Sequence, residues 1–153
     1  SNYNILSPDI IENEINEIAA KTGLELDNTQ LEAIKNALFE KIIIITGSPG
    51  TGKSTILNVI IKFFKTHSET VIMAAPTGRA AKRLEQATGF EAKTIHRLLK
   101  YQPKLNKFLK NEEDKLIADV LIIDEASMLD IKLFKALLRS IRSYKNLIIF
   151  LYI

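Results

Sequence analysis

Cysteine is absent from the 153 residues, which excludes a disulfide framework and any thiolate-based metal or redox chemistry. Such a chain suits a reducing compartment, and a cytoplasmic location is the expectation. No apolar run approaches the roughly 20 residues that a helix needs to cross a bilayer; the longest occupies 147–153. The opening Ser1-Asn2-Tyr3 has neither the basic flank nor the apolar core of a signal peptide, and without an initiator Met it reads as a processed or engineered end. Repeats and low-complexity tracts are also missing. Charge of one sign is in small excess, net +3 with pI near 9.0, a lean toward polyanions too slight to name a partner. With 46% hydrophobic and 25% charged residues, the chain has the composition of one globular domain with a real core.

The hydrophobic pattern changes period along the chain. Ile10, Ile11, Ile15 and Ile18 recur at helical spacing over 8–20 behind Ser7 and Pro8, an N-cap and first-turn pair. Gly23 closes that helix. Asp27 or Asn28 caps a second one carrying Leu31, Ile34, Ala37 and Leu38. Residues 41–46 are then an unbroken, largely β-branched run, as expected of a parallel strand covered on both faces. A helix follows at 53–66, a strand at 70–75, a helix at 78–87 and a helical turn or two at 94–99. Polar, basic residues 100–115, broken by Pro103 and Asn111, form an excursion outside the main core. A strand at 120–123, a helix at 131–142 and a fourth strand at 147–153 complete the pattern. Alternating strands and helices predict an α/β fold with a mainly parallel sheet covered on both faces, and ligands at the carboxyl ends of its strands.

Between the first strand and its helix lies Gly47-Ser48-Pro49-Gly50-Thr51-Gly52-Lys53-Ser54, followed by Thr55. This is a P-loop, also called Walker A. Gly47, Gly50 and Gly52 let backbone amides turn toward a phosphate where a Cβ would obstruct. Lys53 brings a mobile positive charge to the β/γ oxygens, and the Ser54 hydroxyl is the expected Mg²⁺ ligand. Thr51 and Thr55 complete the expected nucleotide-binding set. The natural partner is Asp124-Glu125, since a strand at 120–123 delivers both carboxylates to the same sheet edge. Asp124 is expected to hold Mg²⁺ through its water shell, and Glu125 to orient or deprotonate the attacking water. With Lys53 these two make the expected catalytic set, and an adjacent Glu favours hydrolysis over transfer to an alcohol.

Taken together, these residues resemble the RecD-like ATP-dependent DNA helicases of superfamily 1, specifically their first RecA-like motor domain, over about 26–130. Leu26-Asp27-Asn28-Thr29-Gln30 resembles the family segment upstream of the P-loop, which assigns Gln30 to the adenine edge and ATP as the nucleotide. Ala74-Ala75-Pro76-Thr77-Gly78-Arg79 resembles motif Ia, which grips single-stranded DNA. A strand ending there offers Thr77, Gly78, the free amides of a helix start and Arg79 to a phosphate backbone; the alternative is that Thr77 only caps the helix. Lys82 and Arg83 are expected to be solvated. Thr94-Ile95-His96 resembles the next strand-contacting motif, although a His at this position also reads as a cap or a packed ring. Residues 100–110, with Tyr101 and Phe108 among four lysines, sit where relatives insert a small accessory domain with a strand-separating hairpin. They read first as a solvated basic loop, with a stacking and backbone-contacting surface as the alternative.

By this resemblance the chain divides into an N-terminal helical segment, 1–25, and a RecA-like P-loop ATPase domain, 26–153. DNA repair and recombination are the implied settings, with single-stranded DNA and other subunits or a second motor domain as partners. The family's γ-phosphate-sensing Gly-Asp and Gln segment and second motor domain are not found within the 153 residues, so the expectation is one piece of a helicase, slow in hydrolysis and unable to unwind alone. A non-motor ATP-dependent switch and a loader-type DNA-associated ATPase are the competing readings.

Overall fold

Ser7 accepts a hydrogen bond from the Ile10 N–H ahead of Pro8, and helix α1 (Pro8–Lys21) starts there. Proline fits because the first-turn N–H it lacks has no helical partner anyway. Thr22 ends the helix, and Gly23 turns the chain at φ +68°. Asp27 opens α2 (Asn28–Phe39) through a reciprocal capping box with Gln30. The structure, a computed structural model, describes residues 6–40, 42–47, 52–141 and 146–152. The further elements are β1 (Ile42–Gly47), α3 (Lys53–Thr66), β2 (Val71–Ala75), α4 (Gly78–Thr88), β3 (Lys93–Thr94), α5 (Ile95–Leu98), β4 (Tyr101–Gln102), β5 (Lys107–Phe108), β6 (Val120–Ile123), a 3₁₀ turn at Ala126–Met128, α6 (Ile131–Ser140) and β7 (Asn146–Tyr152).

Five strands form one parallel sheet in the order β1-β7-β6-β2-β3. After β1 the chain crosses to β2 and β3 at the far side, then returns through β6 and β7 to fill the gap. Because successive strand residues face opposite sides, β6 divides cleanly. Val120 and Ile122 join a core with α1, α2 and α3, while Leu121 and Ile123 join a second core with α5 and α6. The result is three layers, helix on sheet on helix, as the sequence pattern requires. Helix α3 buries seven of its residues, Ile56 to Phe64 among them. At about 1.5–3 kcal/mol for each large apolar side chain removed from water, this burial fixes the helix whose first turn carries Lys53 and Ser54. Among the described residues no helix is long and apolar enough to cross a membrane.

Three short strands depart from the pattern expected of the sequence. Lys93 and Thr94 pair with Ala74 and Ala75, so the helical turn begins only at Ile95. Within the excursion, Tyr101 and Gln102 pair antiparallel with Phe108 and Lys107. Two-residue strands carry too little alternation to register as a period. The turn between β4 and β5 has Asn106 at φ +46°, a conformation that Asn tolerates better than most residues, and the Tyr101 hydroxyl donates to its Oδ1 at 2.8 Å. Beyond the hairpin, Asn111 Oδ1 accepts from the Glu113 and Asp114 N–H groups, a side-chain turn of the kind that makes Asn a breaker.

Candidate nucleotide and nucleic-acid site

Asp124 follows the last residue of β6, and its N–H donates to the Ala74 carbonyl oxygen at 3.0 Å. Four apolar buried residues thus carry a carboxylate to the carboxyl edge of the sheet, where it is only 4% exposed. A buried charge needs a partner, and Lys53 Nζ supplies it, lying 2.9 Å from Oδ1 and 3.0 Å from Oδ2. Oδ1 also accepts from the Glu125 N–H at 2.9 Å. Glu125 itself is half-buried and sits in the left-handed region, φ +53° and ψ +39°. A non-glycine residue pays about 1–3 kcal/mol to be held there, and such strain concentrates where a side chain must be aimed. Ser54, one residue beyond Lys53, is exposed; Thr55 is half-buried and Ile56 enters the core.

Gly52 stands before α3 at φ +80°, and a Cβ built on it overlaps the Gln30 side-chain amide. Gln30 Nε2 reaches the Gly52 carbonyl oxygen at 3.5 Å, while its Oε1 accepts from the Asp27 N–H at 3.1 Å. The residue expected at the base therefore touches the end of the phosphate loop. Gly47 is the last residue of β1. The expectations for Gly50 and Thr51, with Ser48 and Pro49 between the two ends of the loop, fall outside the described residues.

On the other side of Asp124, register brings the remaining candidates together. Ile123 pairs with Ala74, and Ala75 pairs with Thr94, so Asp124, Ala75 and Thr94 stand in one row across the sheet. Thr77 caps α4, its Oγ1 accepting from the Ala80 N–H at 3.1 Å; Thr94 caps α5 in the same way, accepting from the Arg97 N–H at 3.1 Å. Both hydroxyls thus have a helix-capping job, and Thr77, Gly78 and Arg79 remain exposed. His96 is exposed and lies against the hairpin, with ring centroids 5.3 Å from Tyr101 and 5.8 Å from Phe108. Lys82 and Arg83 are exposed on α4.

The AAA domain family matches residues 30–151. The chain belongs to that family. Among curated proteins it is 36% identical over 124 residues to the ATP-dependent RecD2 DNA helicase of Deinococcus radiodurans, covering 81% of this chain and 17% of that protein. It is 39% identical over 127 residues to the ATP-dependent DNA helicase dda of Enterobacteria phage T4, covering 79% and 28% respectively. The crystal structure of the Pif1 helicase from Candida albicans superposes with a TM-score of 0.57 at 28% identity, over 84% of this chain and 32% of that one. The chain therefore spans between about a sixth and a third of the length of these relatives. Its resemblance to the RecD-like helicases and its RecA-like P-loop fold both hold.

Within this AAA domain, two features of the site were not legible in the sequence. One is the contact between Gln30 and Gly52, 22 residues apart; the S/T/D-x-x-E/Q signal at Asp27 and Gln30 gives the capping box but not the contact beyond it. The other is the ring cluster of His96, Tyr101 and Phe108, which needs the β4–β5 hairpin to form.

Proposed function

We propose that this chain is an ATP-binding and ATP-hydrolysing motor domain of a RecD-like DNA helicase, with single-stranded DNA running over the strand ends beside the nucleotide. The observation that carries the reading is the Lys53 ammonium seated on both oxygens of the buried Asp124 carboxylate, 71 residues away in sequence. Each charge holds the place of a substrate group: Lys53 that of a phosphate, Asp124 that of a cation. With nucleotide bound, Lys53 would leave this internal pair for the phosphate oxygens, and Asp124 with Ser54 would hold Mg²⁺. The site fits Mg²⁺, because Ser54 and Asp124 offer hydroxyl and carboxylate oxygens, the hard donors this ion takes alongside substrate phosphates. When bound, Mg²⁺ neutralises charge on the β- and γ-phosphate oxygens. Glu125, aimed by its left-handed backbone, orients the attacking water and accepts its proton. Gln30 donates to and accepts from adenine.

Thr77, Gly78 and Arg79 on one strand end, with Thr94 and His96 on the next, take successive backbone groups of a single strand. The relatives named above, two of them ATP-dependent DNA helicases by name, support DNA as the polymer. Calorimetry with Mg-ATP and fluorescence anisotropy with labelled oligonucleotides test the reading on this chain. The expected results are Mg²⁺-dependent heat that Lys53→Ala removes, and a preference for single over double strands that Thr77→Ala combined with Arg79→Ala removes. No heat with Mg-ATP overturns the nucleotide reading; equal binding of single and double strands overturns the strand reading.

A further inference from the structure

Gln30 is a primary amide, so which of its ends accepts and which donates decides what it recognises. Its neighbours settle that question. The Asp27 N–H is only a donor, and it lies 3.1 Å from Oε1; the Gly52 carbonyl is only an acceptor, and it lies 3.5 Å from Nε2. A rotation of the amide by 180° turns both contacts into clashes of like kind, NH₂ against N–H and oxygen against oxygen. One lone pair of Oε1 and one hydrogen of Nε2 are consumed by these contacts. One of each remains, and this acceptor–donor pair complements the N6 and N7 edge of adenine, whereas guanine presents two acceptors there.

We infer that Asp27 is a positioning residue for nucleotide selection: by capping α2 it holds its own N–H against Gln30 Oε1 and so fixes the amide in the adenine-reading orientation. The Asp27 carboxylate accepts from the Gln30 N–H at 2.7 Å, a short charge-assisted bond across the first turn. Remove that carboxylate and the turn frays, the residue 27 N–H leaves Oε1, and the Gln30 amide becomes a rotor presenting either end. The triphosphate grip by Lys53 is untouched by this change. Purine selectivity is what it loses.

This inference rests on the adenine role proposed for Gln30, and the test separates the two. Dissociation constants for Mg-ATP and Mg-GTP are measured by calorimetry on the wild-type chain, Gln30→Ala, Asp27→Ala and Asp27→Asn. Wild type is expected to prefer ATP by about tenfold or more, Asp27→Ala by less than about threefold with GTP affinity little changed, and Asp27→Asn, which keeps a capping oxygen, to recover the wild-type ratio. Asp27→Gly, another accepted N-cap without a side-chain acceptor, replaces Asp27→Ala if that variant does not fold. If Gln30→Ala retains the wild-type ratio, the adenine role itself fails. If Gln30→Ala abolishes the preference while Asp27→Ala and Asp27→Gly retain it, or lower both affinities equally, Asp27 is merely structural and the inference is overturned.

Discussion

Replacing Lys53 by Ala removes the partner of a carboxylate that the fold has buried. Breaking a fully buried ion pair from one side costs about 3–5 kcal/mol, because the remaining charge is left in a poorly polarisable environment. Here the cost is smaller, since the Lys53 side chain is 20% exposed and water can reach the vacated space, and since Asp124 keeps the Glu125 N–H. We expect about 2–3 kcal/mol. In a domain of this size each kcal/mol moves the melting temperature by about 2–4 °C, so Lys53→Ala without nucleotide melts about 4–12 °C below wild type. Asp124→Asn costs less, about 1 kcal/mol, as an ammonium at the rim is hydrated more readily than a carboxylate beneath it. The double variant is the decisive sample. With neither charge left to strand, it is expected to melt above Lys53→Ala, although it carries one more substitution. Circular dichroism melts of the four proteins, with saturating Mg-ATP added in parallel, measure this. Ligand at 100 times its Kd stabilises wild type by about 2.7 kcal/mol, and Lys53→Ala loses most of that gain. A double variant that melts at the sum of the single shifts refutes the pairing.

Three further outcomes follow from the same geometry. Gly52→Ala forces a Cβ into the left-handed region at about 1–2 kcal/mol and displaces the Gln30 amide, so it should melt several degrees lower and weaken Mg-ATP binding in calorimetry. Glu125→Gly relieves backbone strain and is expected to raise stability by about 1 kcal/mol in urea titration, while steady-state hydrolysis falls by about 100-fold or more; unchanged stability would show that the left-handed backbone carries no strain. Thr77→Ala loses the α4 cap at about 1 kcal/mol and lowers the melting temperature, whereas Arg79→Ala leaves it within error. Arg79→Ala instead lowers the slope of log affinity against log salt for a single-stranded oligonucleotide by about 0.7.

Much of this protein was legible because the signals act over four residues or fewer. Ser7 ahead of Pro8, Asp27 and Thr77, all open to reading as caps from sequence, each cap a helix through a bond to a backbone N–H three positions on. Unbroken apolar runs at 42–45 and 120–123 announced parallel strands, and glycine spacing announced the phosphate loop between strand and helix. Such signals fix which of the longer elements exist and which residues stand near their ends. Apart from the shared sheet edge expected for the phosphate loop and Asp124, they do not say which ends are neighbours. That β6 and β7 return to lie between β1 and β2, that Asp124 meets Lys53, that Gln30 meets Gly52, and that His96 rests on the Tyr101 and Phe108 rings were decided by tertiary structure. The reason is physical: caps are side-chain-to-backbone hydrogen bonds three residues apart and the period of apolar residues follows each element's own geometry, whereas strand order and cross-sheet contacts are selected by burying both faces of one sheet at once.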